Sequence, residues 1–232
     1  MRVPLFRGRN PLDQNHLQKS ARGPAWRPLE SSIPNSWIES IQISEPGPRL
    51  NAGFESPSAF RVAFSKLLGR APGLLDASPL LFADWVETPL GSMITVSSRS
   101  QLHLLEFVDR KALKAELGKM DIMVKGKIGI ARTQISAQIT GELDAFFKGI
   151  SAQFLTPLAY RGSDFSQTVW RELRAIPAGE TRSYSQIAKR IGRPSATRAV
   201  AQANGANQFA LVVPCHRVIG ANGSLTGYGG GI

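Results

Sequence analysis

The feature that most constrains this fold is a switch of hydrophobic period near the middle of the chain. Residues 82–87, 92–96 and 102–107 are short β-rich runs, separated by Thr88-Pro89-Leu90-Gly91 and Ser97-Ser98-Arg99-Ser100, both of turn composition. Beyond them the period lengthens to that of helices. Residues 109–117 and 137–147 follow, the latter with Ile139, Leu143, Phe146 and Phe147 as its apolar stripe. Residues 164–175 then place Phe165, Val169, Trp170 and Leu173 on one face. Strands first and helices after imply an α/β chain of the α+β kind. We expect an antiparallel-sheet domain over residues 80–155, a connector at 155–162 and a mainly helical domain over 160–232.

Within the second unit, 183–191 and 195–204 read as two short helices joined by Gly192-Arg193-Pro194, a helix-turn-helix signal. Residues 161–232 hold nine Lys/Arg and three Asp/Glu, so this unit alone carries +6 of a formal net charge of +11. A balance this basic, with a pI near 10.4, favours polyanionic partners, nucleic acid first. No apolar run approaches the roughly 20 residues that span a bilayer, so no membrane partner is expected. Residues 1–50 carry prolines at positions 4, 11, 24, 28, 34, 46 and 48 and show no steady period, which predicts poor order with one short helix over 37–43. From residue 51 order improves: Phe60, Phe64, Leu67 and Leu68 share a helical face, Ser56 or Ser58 supplies a cap, and Gly69 with Pro72 stops the helix.

Cys215 is the one cysteine in the chain. It excludes an intramolecular disulfide and a thiolate-rich zinc site, and His16, His103 and His216 stand at spacings that suit no metal motif. We therefore expect no metal, and nothing here asks for an oxidising compartment. Phe209 to Val213 is an apolar run expected to be buried and extended, and it delivers Pro214-Cys215-His216-Arg217. A cysteine beside histidine and arginine suits a thiolate nucleophile. A buried, inert thiol suits the same residues, and the spacing does not choose between the two.

The run Pro214-Cys215-His216-Arg217-Val218-Ile219 with Gly223-Ser224-Leu225-Thr226-Gly227-Tyr228-Gly229-Gly230-Gly231 resembles the active-site signature of O6-alkylguanine-DNA alkyltransferases. The likeness extends upstream through Phe165-Ser166-Gln167-Thr168-Val169-Trp170, Ile176-Pro177-Ala178-Gly179, Ser183-Tyr184-Ser185-Gln186-Ile187-Ala188 and Arg198-Ala199-Val200 to Asn207. It reaches back over residues 80–155. The resemblance implies a ribonuclease-H-like first domain and a winged-helix-like second one. It makes Cys215 the permanent alkyl acceptor and His216 the proton relay to a glutamate further along. Arg198 becomes the finger that fills the gap left by a flipped nucleotide, and Ala199 permits close approach to the minor groove. Tyr184 lies against the target phosphate and guanine, Asn207 is a hinge, Arg217 belongs with the DNA-contacting set, and Tyr228 closes the pocket. Read from the residues alone, Arg198 also suits a plain phosphate contact and Tyr184 a core aromatic with a satisfied hydroxyl. The implied partner is double-stranded DNA containing O6-alkylguanine, bound by a monomer through the minor groove with base flipping, without a cofactor, in a cytoplasmic, nucleoid-associated protein.

Residues 51–72, from Ala52-Gly53-Phe54-Glu55-Ser56-Pro57 onward, resemble the end of an AraC-type DNA-binding domain, as in Ada-type bifunctional regulators. Over residues 51–75 this implies a partial helix-turn-helix, without its first half and without the four-cysteine zinc domain of such regulators. The family's last helix, with the glutamate that orients the histidine, follows the glycine run, where this sequence reaches Ile232. The expectation is a product truncated at both ends with a weaker Cys215 nucleophile. Three functions follow: direct irreversible repair by a single-turnover methyltransferase, a non-catalytic module that binds alkylated DNA, or an Ada-like transcription regulator with a vestigial alkyltransferase half.

Overall fold

The computed structural model describes residues 56–71 and 78–224. The expected helix over 37–43 and Tyr228 lie outside them. Helix α1 (Pro57–Leu68) starts where the Ser56 hydroxyl accepts the Ala59 amide at 3.1 Å and Pro57 occupies the first turn. Gly69 at φ 70° ends it, passing its amide to Lys66 O. Strands β1 (Leu81–Thr88), β2 (Gly91–Ser97) and β3 (Leu102–Phe107) follow, then α2 (Leu113–Met123), β4 (Ile128–Ile130) and α3 (Gln134–Phe147). The sheet order is β3-β2-β1-β4.

Three of the four strands form the meander that the short β-rich runs and their turns imply, from Phe82↔Ser97 to Thr88↔Gly91 across β1 and β2. The sheet is mixed, however, because β4 pairs with β1 in parallel, Leu81 to Ile128. Three residues carry too short a pattern for their sequence to announce a strand. Helix α2 also departs from the expectation of 109–117, which ended before Gly118. Leu113, Leu117 and Met120 are buried on one face, and that packing carries the helix through the glycine. Its start moves to residue 113 because Leu113 N bonds Arg110 O in a preceding turn. Helix α3 begins three residues earlier than its stripe suggests, at a reciprocal cap between Thr133 and Ser136.

Each sheet face covers a different core. Leu81, Ala83, Ile94, Val96 and Leu104 pack with α2 and with Phe60 and Phe64 of α1, so α1 shares the first unit's core. Val86, Met93 and Leu105 face α3 through Ile135, Ile139 and Leu143. The same buried cluster continues without a break into the second unit. That unit comprises α4 (Asp164–Arg174), β5 (Arg182–Ser183), α5 (Tyr184–Arg190), α6 (Thr197–Gly205) and β6 (Val218–Ile219), with β5 and β6 paired in parallel. The connector is not featureless: Leu102 N donates to Pro157 O and Ala159 N to Leu102 O, both at 2.8 Å, which joins it to the β3 edge.

Helix α4 is capped by Ser163 and buries Val169, Trp170 and Leu173. Trp170 Nε1 donates to Ala203 O at 2.7 Å, fastening α4 to α6. Between α5 and α6 the chain turns through Gly192 at φ 71°, a left-handed position that suits glycine. The helices and turn fall where the sequence places them, with boundaries shifted by one or two residues.

Candidate active site and nucleic-acid interface

Cys215 opens a short 3₁₀ turn, Cys215–Arg217, directly before β6. The preceding apolar run is not an extended strand. Only Phe209 bridges a strand, at Leu105. After it, Val212 N bonds Ala210 O and Val213 N bonds Phe209 O at 2.9 Å, with Leu211 at φ 69°. A left-handed leucine interrupts any β geometry, so the run folds into tight turns.

Asn207 is the peg for those turns. It is 3% exposed; its Oδ1 accepts Phe209 N at 3.0 Å and its Nδ2 lies 2.8 Å from Val213 O, 3.3 Å from Phe209 O and 3.3 Å from Cys215 Sγ. Two amide hydrogens thus meet three acceptors. Val213 O takes the shortest bond, and the sulfur competes with Phe209 O for the second hydrogen. A thiolate would win that competition, because hydrogen bonds to charged acceptors are the stronger ones. Asn204, on α6, adds a contact from Nδ2 to Cys215 O at 3.4 Å.

Burial pushes the Cys215 thiol above its ordinary pKa; the Asn207 bond and Arg110 pull it down, and Glu106 adds to the rise. The resting thiol is therefore protonated at neutral pH. Tyr184, buried at the start of α5, is also held above its ordinary range, by burial and then by the charge of Cys215, so its hydroxyl keeps its proton. Crowding by protein atoms, then Arg217, lowers His216, although its ring keeps an exposed face and solvent tempers the effect. A neutral imidazole can accept a proton. Among the described residues no hydrogen bond joins His216 to Cys215. Glu106 is pushed up to about 7 by burial, against the pull of Arg110.

The raised thiol pKa has a measurable sign. Iodoacetamide should alkylate Cys215 with a pH midpoint higher in the folded protein than in the urea-unfolded chain. The same sign costs the fold stability as pH climbs through the ordinary thiol value of about 8.5. A folded midpoint at or below the unfolded one would contradict this.

Arg198 lies exposed in the first turn of α6 and Ala199 is half-buried beside it. The helix that ends beside Cys215 thus carries a solvent-facing arginine at its other end. Arg217 is turned inward: its guanidinium donates to Ile176 O at 2.8 Å. A cavity of about 680 Å³ borders Pro214 and Arg217, with Arg174 and Pro177 also lining it, but Cys215, Tyr184 and Asn207 do not line it. It is therefore not where the sulfur would meet a substrate. The sequence reading missed Arg110, Glu106, Glu116 and Asn204. No local pattern links Arg110 to positions 95 and 97 residues away, which its side chain nevertheless reaches.

The family model of the 6-O-methylguanine DNA methyltransferase DNA-binding domain matches residues 164–232. Over 91 residues the chain is 59% identical to the methylated-DNA–protein-cysteine methyltransferase of Mycobacterium bovis, an alignment covering 39% of this chain and 55% of that relative. Longer alignments decide the matter: 40% identity with the Mycobacterium leprae protein of that name over 63% of this chain and 83% of the relative, and 40% with the Methanosarcina acetivorans one over 63% and 88%. The chain belongs to the methylated-DNA–protein-cysteine methyltransferase family.

Its fold agrees with that of family members. A crystal structure of Mycobacterium tuberculosis O6-methylguanine methyltransferase gives a TM-score of 0.56 at 39% identity, covering 66% of this chain and 86% of the other. A structure of Mycobacterium tuberculosis OGT in complex with DNA gives 0.54 at 38%, covering 65% and 85%. The structure joins Asn207 to the Cys215 sulfur and places Arg198 and Ala199 on the helix that leads into Asn207, with Tyr184 buried at the start of α5.

Proposed function

We propose that this protein repairs DNA by moving an alkyl group, methyl in the simplest case, from O6 of guanine to Cys215 Sγ. The observation that carries the reading is the placement of the one cysteine: its sulfur is bonded by buried Asn207 directly after a helix whose other end exposes Arg198. The sulfur attacks the alkyl carbon, an S–C bond forms as the C–O6 bond breaks, and both electrons of that bond leave with guanine. The thiol proton departs through water to neutral His216, and the Tyr184 hydroxyl donates toward the leaving base. Guanine is itself the leaving group, so the step draws on no cofactor. The thioether that remains is stable, so each protein molecule acts once.

O6 lies inside the base stack, so the nucleotide must be extruded, at a few kcal/mol. Exposed Arg198 is suited to occupy the vacated space, and half-buried Ala199 lets α6 approach a minor groove. The protein acts as a monomer on duplex DNA. A second reading, regulation of transcription through the AraC-like segment, is favoured by the exposed Arg61 and Lys66 on the outer face of α1.

The test is stoichiometric. Chromatographic loss of O6-methylguanine from a duplex should stop at one equivalent per protein; no loss, or many turnovers, would overturn the reading. Arg198→Ala should slow this repair by about tenfold or more while changing affinity for undamaged duplex by only about twofold, because phosphate contacts dominate non-specific binding. Equal losses in both would reduce Arg198 to a phosphate ligand.

A further inference from the structure

We propose that Arg110, in the sheet unit, is a positioning residue for transfer to Cys215, acting by clamping the hinge segment that aims Asn207 at the sulfur. The proposal deepens the repair reading above and rests on it.

Arg110 Nη1 donates to Asn207 O at 2.8 Å and Nη2 to Gly205 O at 2.9 Å. Gly205 is the last residue of α6 and Asn207 lies two residues beyond. Carbonyls at a helix C-terminus lack intrahelical partners and carry partial negative charge, so a guanidinium fork suits them. Arg110 is itself held by a hydrogen-bonded ion pair with Glu106 and by Glu116 Oε1 at 3.6 Å. All three side chains are nearly buried, at 12%, 6% and 11% exposure. Backbone bonds to β3 hold Gln208 and Ala210: Leu105 N donates to Gln208 O at 2.9 Å and Ala210 N to Leu105 O at 2.8 Å. Arg110 fixes two further carbonyls of this segment, one of them belonging to the residue whose amide touches Cys215 Sγ.

The charges have opposite effects at the sulfur, Arg110 favouring the thiolate and Glu106 opposing it. A buried triad of this kind is a poor source of stability compared with apolar packing. Its geometry instead gives the sheet unit a grip on the nucleophile's hinge across 97 residues of sequence.

The experiment compares the full chain with Arg110→Met/Glu106→Gln, which leaves neither member of that pair charged, and with Arg110→Lys and Glu106→Gln alone. Each is measured for unfolding midpoint, affinity for an O6-methylguanine duplex, single-turnover transfer at saturating duplex, and iodoacetamide alkylation of Cys215. The double variant should bind duplex within about twofold yet transfer at least about tenfold more slowly, and its thiol should react more slowly with iodoacetamide. Arg110→Lys, reaching one carbonyl at a time, should recover part of the rate. Glu106→Gln, which keeps the clamp and removes the opposing charge, should speed the thiol reaction. A purely structural role would slow both single variants in step with lost stability, and that result overturns the proposal. So does a wild-type transfer rate in the folded double variant, or in Arg110→Lys should the double variant not fold. If the parent protein transfers nothing, the repair reading fails by itself. The iodoacetamide arm then still decides the clamp, since an unchanged thiol rate in the double variant overturns it.

Discussion

Cys215→Ala is expected to leave every O6-methylguanine in place at any protein concentration, while the variant still binds the same duplex with affinity within about twofold of the parent. No other side chain in the sequence offers a thiol, and a hydroxyl, with a pKa far above that of a thiol, does not substitute for it at neutral pH. Cys215→Ser should therefore be equally inert. The substitution is small and the side chain only half-buried, so the fold should barely register it. What is lost locally is one sulfur bond to Asn207, whose amide keeps Val213 O at 2.8 Å. Chromatography of the digested duplex reads the result directly, and residual repair by either variant would place the acceptor elsewhere.

The second large effect is on stability. Trp170 is 1% exposed at the centre of the cluster that joins the two units. Its ring lies 6.1 Å from the Tyr160 ring, and its Nε1 holds Ala203 O at 2.7 Å. A Cβ built on Gly162 would come within 2.8 Å of its Cη2, so the site has no slack on that side. Trp170→Ala should cost about 3–5 kcal/mol, a large share of the roughly 5–15 kcal/mol that holds a domain folded. Because the lost hydrogen bond anchors α6, duplex binding should weaken in parallel. Urea titration checks the expectation, and a loss under about 1 kcal/mol would show that the two units do not depend on this contact.

The parts of the fold legible in the sequence are those whose signal is local. The strands at residues 82–107 are legible because β-rich composition and the turn residues between the runs are local signals, and Ser56, Ser163 and Gly69 mark helix ends by chemistry that acts within a few residues. Where tertiary packing outweighs propensity, local signals mislead: Gly118 does not end α2, because Leu117 and Met120 on either side of it are both buried. The run 209–213 has the composition of a strand, yet the Asn207 side chain gathers it into turns.

The site divides along the same line. Motif resemblance singles out Cys215, Tyr184 and Asn207, and the structure bonds Asn207 to the Cys215 sulfur. The resemblance counts Arg217 among the DNA contacts, and the structure ties its guanidinium to Ile176 O. Arg110 was invisible, since its partners Gly205 and Asn207 become neighbours only when β3 lies against the hinge segment. Asn204 was hidden differently: as one more residue of an amphipathic helix, nothing in its spacing reveals that it reaches the Cys215 carbonyl.

One measurement tests the central claim most directly. The full chain is incubated with a duplex containing O6-methylguanine, digested, and its peptides analysed by mass spectrometry. The peptide bearing Cys215 should carry one methyl in place of the thiol hydrogen, in amount equal to the O6-methylguanine lost from the DNA. An unmodified Cys215 peptide alongside demonstrated binding to the same duplex would contradict the account and leave a protein that recognises alkylated DNA without repairing it.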